Sequence, residues 1–407
     1  MSEVVSIPQL RFPEFSGEWR VDKFVDLCKF QQGVQVDVEL QSTEPKNNFL
    51  RFLRIENYTQ KSNDFRYIPK ELSSNKSITE NEIAIVRYGA TAGYIGRGLK
   101  GVLANNLFKL VLNKDTLDTD YLFHLLRSYK TFCFFQSEMS GGAMPALSFG
   151  IVGALKLPYS SISEQQKIAA FLTAVDSKIE QLSKKKALLG EYKKGLMQQI
   201  FSQAIRFKAD DGSAFPVWEE KNIVELAKTS IGLVTSMTPY YVDKGVPLIR
   251  NNDIFQNKIR KEKLIRLDYE FDQLNKNRRL FTNDIVTVHT GNIGASAVID
   301  EELNGCQGFA TLNTRIKNQN EISSSFLCWY YNSTRNIKYA LSMATGDGRS
   351  NYNLKDFNKA TIPVPSLPEQ TKIAAFLTAA DNKIEQVGKQ FDESKQFKKA
   401  LLQQMFV

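Results

Sequence analysis

The octapeptide Lys167-Ile-Ala-Ala-Phe-Leu-Thr-Ala174 returns letter for letter from Lys372 to Ala379. The match extends further: Glu164–Phe201 aligns with Glu369–Phe406 without a gap, and 22 of the 38 positions are identical. The offset is 205 residues, about half of the 407-residue chain. That period is too long for a solenoid repeat. It marks a duplicated unit and predicts a fold with an approximate internal two-fold. Two similar halves suit a target that itself has two halves.

The duplicated segment has helical periodicity. Its apolar positions are Ile168, Leu172, Val175, Ile179, Leu182, Leu189, Leu196 and Ile200. With Lys186 and Lys193 in the gaps, the steps alternate between four and three, the signature of a heptad seam. The second copy runs Ile373, Leu377, Ala380, Ile384, Val387, Phe391, Ser394, Lys398, Leu401, Met405. Ser163 and Pro368 stand where helix starts are expected, each followed by a glutamate in the first turn. At 1.5 Å per residue each helix is ~57 Å long. Neither can bury its stripe alone, so each copy is the expected partner of the other.

The segments before and between the helices are mixed. β-type runs such as Glu82-Ile-Ala-Ile-Val86 and Asp284-Ile-Val-Thr-Val288 alternate with Gly- and Asn-rich turns, and helical patches are expected at Asp120–Phe135 and Phe326–Ala344. Shared landmarks relate the two segments. Leu10-Arg-Phe12 ending in Trp19 parallels Ile205-Arg-Phe207 ending in Trp218, and Asn81–Gly89 parallels Asn283–Gly291. Leu53–Asn57 parallels Ile249–Asp253, while Gly141 and Pro158 parallel Gly346 and Pro363. Most residues between the landmarks differ. The expected order is α+β domain, long helix, α+β domain, long helix: near-identical connectors and divergent heads.

Composition narrows the function classes. Lys plus Arg number 53 against 44 Asp plus Glu, a surplus of nine that suits a polyanion partner. Two histidines, His124 and His289, cannot build a histidine-rich metal centre. Four dispersed cysteines (Cys28, Cys133, Cys306 and Cys328) form no CxxC and read as reduced, mostly buried thiols. No apolar run reaches the ~18 residues of a membrane helix. The N-terminus lacks the features of a signal peptide, so the expected location is cytoplasmic. Gly96-Arg-Gly-Leu-Lys-Gly101 fits G-x-G-x-x-G by letter, but its continuation reads as loop and strand rather than helix. There is no P-loop and no Asn/Asp-Pro-Pro-Tyr/Phe methyltransferase motif. Thr238-Pro-Tyr-Tyr241 is a poor substitute with its single proline.

The residues resemble those of the specificity subunit of Type I restriction–modification systems, over nearly the whole chain. The marks are Pro158 to Ile179, containing Ser163-Glu-Gln-Gln-Lys-Ile and Asp176-Ser-Lys-Ile, and the second copy from Pro363 through Asp381-Asn-Lys-Ile. Thr238-Pro-Tyr-Tyr before Gly245-Val-Pro-Leu-Ile-Arg250 resembles the family's entry into a recognition domain, a pair the first domain lacks. The resemblance implies two α/β target-recognition domains joined by two long antiparallel helices, with residues 1–160 and 206–366 as the domains and 161–205 and 367–407 as the helices. Each domain would read one half of a bipartite, asymmetric site on double-stranded DNA. The helices would act as a ruler and dock two modification subunits, which carry S-adenosylmethionine. Two restriction subunits using ATP and Mg would join the complex. The chain itself would bind no cofactor and no metal, and would catalyse nothing. Half-sites on one face of B-DNA lie ~34–36 Å apart, a distance such a helix pair can span.

For DNA contact, arginine and lysine offer charge and bidentate donors, and asparagine pairs with adenine. The expected residues are Arg51, Arg54, Asn57, Arg87, Tyr88, Asn105 and Asn106 in the first domain. In the second they are Arg250, Asn251, Asn252, His289, Thr290, Asn292, Arg349, Asn351 and Tyr352. Lys258–Lys263 and Lys276–Arg279 read as phosphate contacts or solvated faces. Gly141-Gly142 and Gly346-Asp-Gly348 precede cap-like Ser148 and Asn353. Lys193 and Lys398 occupy one seam position in both copies, through snorkelling or to specify register. The helix faces expected to dock partners carry Gln165, Lys167, Asp176, Lys178 and Glu180, and Gln370, Lys372, Asp381, Lys383 and Glu385. Two other readings are a coiled-coil adaptor that binds proteins through its heads and a single-chain adenine methyltransferase. The missing motif argues against the latter.

Overall fold

A computed structural model describes residues 3–4, 8–73, 76–139, 145–344 and 350–406. The chain divides into two compact units, Met1–Ser183 with Lys389–Val407, and Lys184–Gly388. Both boundaries fall inside the long helices, Ile162–Phe201 and Leu367–Gln404. The central helix begins one residue after Ser161, whose hydroxyl accepts from the Glu164 amide at 3.4 Å. Ser161, rather than Ser163, is therefore its N-cap.

In the first unit a sheet of Cys28–Gln32, Leu107–Leu112, Ala84–Val86 and Ile95–Gly96 is antiparallel throughout. A second sheet contains Arg66–Pro69, Phe49–Leu53, Gly101–Leu103 and Ser77–Ile78, with a parallel pair at Phe52–Val102. The second unit repeats this plan. Ala227–Ile231, Thr311–Ile316, Ile285–Val288 and Ser296–Val298 form one sheet. Tyr241–Val242, Ile265–Leu267, Val246–Arg250 and Gln307–Phe309 form the other, with its parallel pair at Ile249–Gly308. The G-x-G-x-x-G segment is a turn between two strands, with Gly98 at φ +94°.

The expected helical patches are each two helices. Thr119–Leu126 and Tyr129–Glu138 part at Ser128, whose hydroxyl accepts from the Thr131 amide. Ser324–Tyr331 and Thr334–Met343 part at Ser333, capped the same way. A serine hydroxyl that satisfies a free amide starts a new helix, which apolar periodicity alone does not show. Ser148 and Asn353 cap the next short helices.

Each unit buries part of both long helices. In the first, Ile168, Ala169 and Leu172 share a core with Leu401, Met405, Trp19, Phe108 and Tyr121. In the second, Ile200, Phe201, Ile373 and Leu377 join Trp218, Ile285, Phe326 and Tyr330. Cys28, Cys306 and Cys328 are buried and Cys133 is exposed.

Candidate nucleic-acid interface

The long helices are fastened to their heads by the same polar residues in both units. Glu164 is buried and accepts from Arg11 Nε at 2.7 Å, Arg11 Nη2 at 2.8 Å and Trp19 Nε1 at 3.4 Å. Glu369 accepts from Arg206 Nε at 3.1 Å, Arg206 Nη2 at 2.7 Å and Trp218 Nε1 at 2.9 Å. The repeated Leu-Arg-Phe and Ile-Arg-Phe segments thus supply the cation for the buried glutamate. Their phenylalanines pack edge-on against the helix, Phe12 on Phe171 and Phe207 on Phe376.

Gln165 and Gln370 are fully buried and satisfied, which corrects their expected place on the docking face. Gln165 accepts from the Asp118 amide and donates to the Thr116 and Ser160 carbonyls. Gln370 does the same with the Ser323 amide and the Glu321 and Pro365 carbonyls. Asp176 and Asp381 are drawn into the seam as well. Lys398 Nζ lies 2.5 Å from Asp176 Oδ1, and Lys193 Nζ lies 2.6 Å from Asp381 Oδ1. The two seam lysines are therefore paired with carboxylates from the facing helix. Lys167, Lys178, Glu180, Lys383 and Glu385 are exposed. Lys372 is half-buried and pairs with Asp210, and Glu385 pairs with Lys258.

In the first head, Arg87, Tyr88, Asn105 and Asn106 come together where the Ala84–Val86 strand ends. The Arg87 amide donates to the Asn106 carbonyl and the Leu147 amide donates to the Arg87 carbonyl. Asn105 Nδ2 donates to Gln35 Oε1 at 2.7 Å, and Arg87 Nη1 donates to Gln32 Oε1 at 2.8 Å. Gln32 and Gln35 were missed by sequence reading; the strand that ends at Gln32, just before Gly33, was the available signal. In the second head, the Tyr352 amide donates to the His289 carbonyl, as Leu147 does to Arg87. Thr290 Oγ1 donates to Asn351 Oδ1 at 2.6 Å. Burial lowers the pKa of His289 from its ordinary value, favouring the neutral ring.

Other expected contacts have internal duties. Asn57 is buried: its Oδ1 accepts from the Arg54 amide and its Nδ2 donates to the Ser62 and Asp64 carbonyls. Asp253 closes the same turn with Arg250, by the backbone amide at 3.1 Å and by Nε at 3.0 Å. Arg54 pairs with Glu56 and Asp64. In both turns the residue three positions on accepts from the arginine's backbone amide, so Arg54, Asn57 and Arg250 are engaged within the fold. Tyr352 is 1% exposed and sits among Tyr339 and Phe357. Asn251 reaches the Ala310 carbonyl at 3.4 Å, and Asn106 is half-buried with its Oδ1 lacking a hydrogen-bond partner. Asn252, Asn292 and Asn351 are exposed, as is Arg51, which lies over the Phe65 ring at 4.2 Å. Arg349, Gly141, Gly142, Gly346 and Gly348 lie outside the described residues.

The basic clusters are partly neutralised. Lys261 pairs with Asp300 and Glu302, Arg260 with Asp253, and Arg279 with the buried Asp272. That makes them structural ion pairs before they are phosphate contacts. Among the described residues, no cluster of histidine, cysteine and carboxylates could hold a metal ion. Nor is any helix among them long and apolar enough to cross a membrane.

Two heads built on one framework, each tied to its helix by one Arg–Glu–Trp set but carrying different loop side chains, define a modular two-domain recognition protein. The Type I restriction modification DNA specificity domain model matches residues 17–190 and 217–391, and the chain belongs to that family. It is a Type I specificity subunit with two target-recognition domains, and the family recognises DNA in complex with other subunits. The MjaVIII specificity subunit of Methanocaldococcus jannaschii is 26% identical over 97% of this chain and 92% of its own length. The Escherichia coli EcoBI specificity subunit is 22% identical over 67% of this chain and 60% of its own. The fold is shared with the S subunit structure from M. genitalium, with a TM-score of 0.61 at 16% identity and 99% of both chains covered.

Proposed function

We propose that each target-recognition domain reads one half of a bipartite, asymmetric site on double-stranded DNA. The observation that carries this is the difference between heads at one framework position: Arg87-Tyr88 in the first stands where His289-Thr290 stands in the second. Identical heads would suit a palindrome; different side chains on one scaffold suit two different half-sites. Base edges in the major groove distinguish all four pairs, so a few loop residues suffice to change a target.

The two long helices set the spacer and dock two modification subunits, which carry S-adenosylmethionine. Restriction subunits using ATP and Mg join the same assembly. The chain itself holds no cofactor and catalyses no step, and its place is the cytoplasm. The docking faces retain Lys167, Lys178, Glu180, Lys372, Lys383 and Glu385 after the corrections above.

The test is the methylome of the host with and without this chain, its modification partner kept. Loss of adenine methylation at a single two-part motif is the expected result. An unchanged methylome, together with a purified assembly that ignores DNA, would move the reading to a protein-binding adaptor.

A further inference from the structure

Arg87 is held in an unusual setting for a cation. Its guanidinium carbon lies 4.5 Å from the Phe149 ring centre and 4.9 Å from that of Tyr88. Phe149 is itself braced by Phe30, stacked at 5.8 Å, and by Phe108, edge-on at 5.2 Å. One proton of Nη1 is spent on Gln32 Oε1. Gln32 cannot turn its amide over, because its Nε2 donates to the Asn105 carbonyl at 2.8 Å. Nε is buried without an acceptor, and Nη2 has no hydrogen-bond partner among the described residues. No carboxylate among them pairs with Arg87, whereas Arg11, Arg54 and Arg97 each have one.

A half-buried guanidinium without a counter-charge is costly unless an acceptor arrives. Here two rings flank the guanidinium and Gln32 holds Nη1, leaving the Nη1–Nη2 end of the fork, rather than the buried Nε, to donate. A planar, pre-aimed pair of donors matches guanine, which offers O6 and N7 side by side in the major groove. A phosphate contact would require the charge but not the fixed plane. Resting on the reading of this domain as a DNA reader, we propose that Arg87 reads a guanine in the half-site of the first domain, with Gln32 as its positioning residue. The second head has His289 at the corresponding place, so this position reads a different base edge there.

The experiment takes the chain assembled with its modification subunits and a duplex bearing its methylated motif. Each guanine is replaced in turn by 7-deazaguanine, which lacks the N7 acceptor. A bidentate arginine–guanine pair is worth roughly 5- to 150-fold in discrimination. One guanine, in one half-site, should weaken binding within that range for the wild-type complex. Arg87→Lys keeps the charge but not the fork; it should bind the unmodified duplex more weakly and ignore the replacement at that guanine. Gln32→Ala should blunt the sensitivity while leaving the salt dependence alone. The proposal is overturned if no guanine is sensitive in the wild type, or if Arg87→Lys retains the sensitivity. It is equally overturned if Arg87→Lys binds the unmodified duplex as tightly as the wild type, the mark of a phosphate contact that needs only the charge. A wild-type complex that cannot tell its motif from a scrambled duplex would sink the parent reading instead.

Discussion

Glu164 and Glu369 show how a single buried residue can organise a joint. Each is a carboxylate out of water that takes its hydrogen bonds from one arginine and one tryptophan of the head's entry segment. Removing the cation leaves the charge buried and uncompensated, at about 3 kcal/mol. Arg11→Ala should therefore lower the urea midpoint of unfolding far more than Lys178→Ala on the exposed helix face. Equal midpoints would show the glutamate to be solvated. His124 offers a pH-dependent case. It is buried, with Nε2 3.0 Å from Thr173 Oγ1. Its pKa is lowered to about 4, first by burial and then by Lys398, Arg97 and Arg127, against an opposing pull from Asp176. The folded state thus binds the proton less readily than the unfolded chain, whose histidine titrates near ~6.5. Stability should fall as pH drops through the window from about 6.5 to about 4. His124→Gln, unable to titrate, should lose that part of the acid sensitivity; parallel curves for the two proteins would refute it. At the matching place in the second unit Trp329 donates to Thr378 Oγ1 at 3.2 Å, a bond with no proton to gain.

At the scale of elements, the long helices were the most legible part of the sequence. Periodicity placed both, and the seam lysines pointed to a polar position in an apolar stripe. Their partners were not legible. By sequence, Asp176 and Asp381 are outward residues on a docking face, because spacing along one helix does not say which side chains of the facing helix lean across. Burial is the larger influence on the pKa of Lys398 and pulls it down against the Asp176 pair, as expected for an ammonium inside a helix interface. A double-mutant cycle on Asp176→Asn and Lys398→Met should give a coupling of about 1 kcal/mol; additive effects would show that the pair does not set register. The helix breaks at Ser128 and Ser333 were hidden for a different reason. Apolar residues continue through them, and only the cap geometry reveals a new start.

For the molecule as a whole, a 40-residue and a 38-residue helix each belong to both compact units. If helix length sets spacer length, inserting seven residues at matching points in both, which preserves the heptad phase, should lengthen the unread spacer of the methylated motif. Both half-sites should stay unchanged. Methylome sequencing that returns the original spacer would end the ruler idea. Duplication, helix positions, mixed sheet-and-helix heads and family membership could all be read from the order of residues, since they depend on local periodicity and on repeated motifs. The recognition surface could not. Asn57, Arg250, Gln165 and Tyr352 have the same chemistry as residues that face solvent, yet the fold spends them on caps, helix anchors and core. A polar side chain announces that it needs a partner; whether that partner is backbone, water or a base edge depends on long-range packing. Arg87 stands apart from the other candidates because Gln32 and Phe149, remote from it in the chain, close around it beside the neighbouring Tyr88 and leave the Nη1–Nη2 end of its guanidinium to donate.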